Sequence, residues 1–126
     1  DLAHDYEERG VAVVAICSND AQQYPEDSFE SMAERAREKN YPFPYLRDES
    51  QEVARAYGAE CTPDFYVFDG DHKLVYRGRL DDGKPSTDEV TSRELRTALD
   101  QLLDEGVVTV DQIPSMGCNI KWKSKN

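Results

Sequence analysis

"VAVVAIC", Val11 to Cys17, is an unbroken apolar run with no polar alternation. A strand that shows no polar face reads as one covered on both sides, as in a parallel sheet between helices. Parallel neighbours cannot be joined by a tight turn, so a helix has to lie between this strand and its partner. That requirement narrows the chain to an α/β architecture.

Before the run, Leu2, Ala3 and Tyr6 form a thin helical stripe that Gly10 closes. After it, Asp27 and Glu30 are spaced as a capping box for a helix through Lys39, ended by Asn40, with Met32, Ala33 and Ala36 inward. Pro42 and Pro44 hold "YPFPYLRD" extended. Asp48 and Gln51 fit a second capping box, with Val53, Ala54 and Tyr57 on one face and Gly58 as the stop. "ECTPDFYVFD" then enters a strand ending near Phe68, "DGDH" turns, and "KLVYRGRL" returns as its antiparallel partner. Thr91 and Glu94 are spaced to cap a last helix, inward on Leu95, Ala98, Leu99, Leu102 and Leu103, which ends at Gly106. The expected division is a domain over 1–106 and an extended tail over 107–126 packing on or beside it. A right-handed crossover places a strand before the opening helix, so the sequence starts one element late.

With 126 residues the chain suits one compact domain. A net charge of −11 gives a phosphate-binding face no support, so nucleic acid is disfavoured; the short basic ending "KWKSK" does not reverse this. No apolar stretch has membrane-spanning length. Cys17, Cys61 and Cys118 are odd in number and widely spaced, which argues against a secreted disulfide framework and fits a cytoplasmic setting. His4 and His72 stand at no ligand spacing to a cysteine, and "DGDHK" lacks the later oxygen ligands of a calcium loop, so neither a metal nor another cofactor is expected.

"GVAVVAICSND", "YPFPYLRDESQEVARAYGAECTPDF", "KLVYRGRLDD" and the ending "GCNIKWK" resemble the peroxiredoxin-like, redoxin (AhpC-TSA) branch of the thioredoxin superfamily across nearly the whole sequence. The resemblance implies a thioredoxin-like fold, a mixed sheet flanked by helices, here without its first strand. It implies a thiol-disulfide or peroxide oxidoreductase whose partners are a protein or small-molecule disulfide or a peroxide, with a thiol reductant. It also implies that "GAECTPDF" is the cis-proline loop, with the Thr62–Pro63 bond cis and Cys61, Thr62 and Pro63 positioning the substrate backbone. The family's reactive cysteine, in a CxxC-like stretch at a helix N-terminus, has no counterpart here. No catalytic residue carries over, and the chain itself is expected to be inactive. The alternative is a non-enzymatic thioredoxin-like module that docks extended peptides at the same loop.

Each thiol has two readings. Cys61 beside the loop exchanges with a reactive thiol or is a half-buried loop residue. Cys118 is a resolving or secondary thiol, or its segment folds back through Ile120 and Trp122. Cys17 closes a buried strand and reads as a small core hydrophobe. The strand edges left by the absent strand, at Val11 to Cys17 and Asp64 to Phe68, are expected to recruit a partner, including a second copy of the chain.

Overall fold

The computed structural model of the protein describes residues 2–83, 90–116 and 118–123, the side chain of Cys118 excepted. Its contacts gather into two compact units, Asp1–Glu60 with Ile120–Asn126, and Cys61–Asn119.

In the first unit, helix α1 (Leu2–Glu7) buries Ala3 and Tyr6, and Gly10 follows it at φ 85, where a side chain would be strained. Strand β1 (Ala15–Cys17) pairs in parallel with β2 (Tyr45–Arg47), Ile16 opposite Leu46, and helix α2 (Phe29–Lys39) lies against β2. Only the end of the apolar run forms a strand, and coverage on both faces is not what the structure has: Ile16 and Leu46 are 43% and 48% exposed. Apolar composition fixes what a strand tolerates burying, while neighbours fix what is buried.

The caps differ from the local reading in the same instructive way. Pro25 opens a short 3-10 turn through Asp27, so the N-cap of α2 passes to Ser28, whose side chain accepts from the Ser31 amide at 3.2 Å. Asn40 ends α2 in the left-handed region, as expected of that residue. Helix α3 (Glu52–Tyr57) begins after Gln51, itself at φ 66. Asp48 caps it from further back, accepting from the amides of Ala54 and Val53 and from the Ser18 hydroxyl. The Gln51 main-chain amide donates to the Asp48 carbonyl, but the side chain turns elsewhere. Fully buried, it donates to the carbonyls of Ser18 and Lys121 and accepts from the Lys123 amide. Ile120 is buried, its amide bonded to the Glu60 carbonyl, and the Arg55 guanidinium lies 5.1 Å from the centre of the Trp122 ring.

In the second unit, β3 (Cys61–Thr62) pairs antiparallel with β6 (Cys118–Asn119), and β4 (Phe65–Phe68) pairs antiparallel with β5 (Leu74–Gly78). Asp69 shapes the hairpin turn by accepting from the amides of Asp71 and Lys73, with His72 at φ 63. Helix α4 (Glu94–Glu105) packs on β5 through Leu95, Ala98 and Leu99, and Tyr76 is fully buried. Leu103, expected inward, is 37% exposed. The Thr91 cap is also replaced. Thr91 bonds Asp82 by its amide and hydroxyl, while buried Glu94 accepts from Arg79 and Ser92. The Arg79 guanidinium holds the Glu94 carboxyl below its usual range against the opposing effect of burial. Among the described residues β1 pairs only with β2 and β4 only with β5, and no helix is long and apolar enough to cross a membrane.

Candidate functional site

The expected loop follows directly from β3: the Thr62–Pro63 peptide bond is cis, and both residues are exposed while Cys61 is half-buried. Proline supplies no amide, so pairing resumes only at Phe65 of β4, opposite Gly78. Between them, Asp64 turns its side chain inward, where only 8% of it is exposed. A buried carboxylate needs donors, and three converge on it: Tyr66 Oη at 3.0 Å, Arg77 Nη2 at 3.3 Å and Ser115 Oγ at 2.9 Å.

Strand alternation explains two of these partners. Asp64 and Tyr66 stand two residues apart on one face, and Arg77 is the cross-strand partner of Tyr66. The Arg77 guanidinium also lies 5.2 Å from the centre of the Tyr66 ring. Burial pushes the Tyr66 phenol up, and the Asp64 carboxylate adds to this through its hydrogen bond and charge, to about 12. Asp64, Tyr66, Arg77 and Ser115 are not among the site residues expected from the sequence. The first three could have been found by aligning the hairpin from Phe65 against Gly78; Ser115, 51 residues from Asp64, leaves no such signal.

The tail completes the site. The Arg77 amide donates to Gln112 Oε1 at 3.0 Å, the Arg79 amide to the Ile113 carbonyl at 2.9 Å, and Ser115 Oγ lies 2.8 Å from the Gly78 carbonyl. A Cβ at Gly78 would stand 2.6 Å from the Ile113 carbonyl, so the tail's course there requires glycine. The Cys61 thiol donates to the Ser115 carbonyl at 3.4 Å. Further on, Thr62 stands in register with Cys118 and Cys61 with Asn119. The Thr62 edge, expected to stand open to a substrate, is therefore paired within the chain. The side chain of Cys118 lies outside the described residues.

Cys17 belongs to the other unit and is not the core hydrophobe expected: it is half-buried, with Arg47 Nη1 3.8 Å from its Sγ and 3.4 Å from its carbonyl oxygen. An open cleft of about 600 Å³ in that unit is lined by Ile16, Leu46, Arg47, Asp48 and Lys123 among others, and by none of the residues expected to act. Burial pushes the Asp48 carboxyl up, but hydrogen bonds from Ser18, Ala54 and Val53 and the Arg47 charge outweigh it, and its pKa is lowered. Neither Cys17 nor Cys61 is in a disulfide.

Against solved structures, the chain is similar to an uncharacterized conserved protein from Geobacillus kaustophilus, with 60% identity over 99% of this chain and 67% of that one, at a TM-score of 0.92. A hypothetical protein from Sinorhizobium meliloti 1021 matches at 49% identity over 98% of this chain and 68% of its own, also at 0.92. No curated protein matches. Residues 1–77 match the AhpC/TSA family. With the mixed α/β architecture and the strand–proline–hairpin order above, this makes the fold thioredoxin-like and the chain a member of the AhpC/TSA family.

Proposed function

We propose that the chain is the substrate-docking part of a thiol-dependent oxidoreductase acting on disulfides or peroxides, whose attacking sulfur is none of the cysteines described here. The observation that carries this reading is the exposed Thr62–Pro63 step backed by the buried Asp64 clamp. Tyr66 and Arg77, from β4 and β5, hold Asp64 independently of the tail, so the main chain beside it is pre-organised to receive an extended ligand. The chemistry then runs through a thiolate that attacks one sulfur of a disulfide, forming a mixed disulfide and releasing the other sulfur as thiolate. With a peroxide, the same thiolate attacks one oxygen, the O–O bond breaks, and a sulfenate forms as alcohol or water is released.

Cys61 is poorly placed for that attack. Its thiol donates to a carbonyl, which accepts a hydrogen bond from a thiol and offers none to a thiolate. The 126-residue chain is expected to consume peroxide and reduce insulin disulfides no faster than free thiols. The Geobacillus kaustophilus relative, a third of which lies outside the match, is expected to turn over one of them. Turnover by this chain that disappears in Cys61→Ser would place the nucleophile at Cys61 and overturn the assignment. Inactivity of both proteins, with peptide binding at the loop, would make this a binding module instead.

A further inference from the structure

The segment that fills the Thr62 edge is the chain's own. Resting on the docking reading above, we infer that residues 112–116, with the main chain of Cys118 and Asn119, act as an internal strap in the place of the true ligand. That ligand is an extended polypeptide running antiparallel to β3, which must displace the strap to bind.

The strap is built to come off. Its ladder with β3 spans two residue pairs, Cys61 with Asn119 and Thr62 with Cys118, far short of a self-sufficient sheet. Among the described residues, its other anchors include hydrogen bonds to Gln112, Ile113 and Ser115. The Ser115 hydroxyl has one proton for two acceptors, Asp64 Oδ1 and the Gly78 carbonyl, so it satisfies one at a time. Apolar anchorage is slight: Met116 is 87% exposed, Gln112 and Pro114 are exposed, and Ile113 is half-buried. Main-chain pairing carries little sequence information, so another extended segment of the same orientation can take over these bonds. The strap also indicates what such a segment carries: a hydroxyl residue three positions before the one that pairs with Thr62, in reach of Asp64.

Two substitutions weaken the strap in different ways. Ser115→Ala removes its hydroxyl anchor, and Gly78→Ala sets a Cβ against the Ile113 carbonyl. The probe is a synthetic peptide copying residues 113–122 with serine for cysteine, titrated into the full chain. The strap lowers apparent affinity by the fraction of molecules in which it is seated. Ser115→Ala is therefore expected to bind the peptide about fivefold more tightly than wild type, and Gly78→Ala at least as much. In wild type itself, saturating peptide is expected to accelerate hydrogen exchange at the Cys118 amide, a readout that needs no variant to fold. Equal affinity in all three proteins, with Cys118 exchange unchanged on binding, would leave the docking edge standing and overturn the strap. Faster Cys118 exchange in the variants with no peptide bound by any protein would overturn the docking reading and the inference with it.

Discussion

The Tyr66 phenol sits two residues from a buried carboxylate and under a guanidinium, and its acidity records the balance of the two. Burial and Asp64 both favour the protonated phenol, the Arg77 charge opposes them less strongly, and the result is a pKa of about 12 instead of 10.0. Because the folded value is raised, the stabilisation is complete below pH 10 and is lost as pH rises towards 12. Ultraviolet titration of tyrosinate is expected to show a phenol ionising near pH 12 whose contribution disappears in Tyr66→Phe. Asp64→Asn should move the step downwards by weakening both contributions from the carboxylate. An unchanged titration in either variant would mean that the clamp does not hold the phenol.

On helix α4 the hydrophobic period marks a stripe, and the structure shows where the stripe stops mattering. Leu99 is 3% exposed and Leu103, one turn on, is 37% exposed. Leu99→Ala is expected to cost about 3 kcal/mol in urea unfolding, and Leu103→Ala less than about 1 kcal/mol. Equal losses would place Leu103 in the core. The same contrast separates what was legible in the sequence from what was not. Helix positions, the hairpin and the closing residues Asn40, Gly58 and Gly106 follow from local patterns and appear where expected. The N-terminal caps were misread because spacing alone nominates them: Pro25 hands one to Ser28, and Thr91 is drawn away to Asp82. At the site, Cys61, Thr62 and Pro63 were legible as a motif. Asp64, Tyr66 and Arg77 were recoverable from strand alternation, whereas Ser115 and the strap are tertiary contacts with no period to betray them.

For the molecule as a whole, the first unit depends on residues far from it in sequence. Ile120 is 5% exposed, and the neighbouring Lys121 and Lys123 bond Asn19, Asp20 and Gln51. Ile120→Ala is expected to destabilise the protein by about 3 kcal/mol. Trp122, the sole tryptophan, should report that transition by its fluorescence, since the Arg55 contact over its ring is lost on unfolding. A loss below about 1 kcal/mol would make the attachment incidental. The non-contiguous make-up of this unit, Asp1–Glu60 with Ile120–Asn126, also sets an order of events during synthesis. Domains ordinarily fold as they leave the ribosome, the N-terminal one first. Here Gln51 leaves the ribosome 70 residues ahead of Lys121, so this unit is completed only after the intervening Cys61–Asn119 has been made.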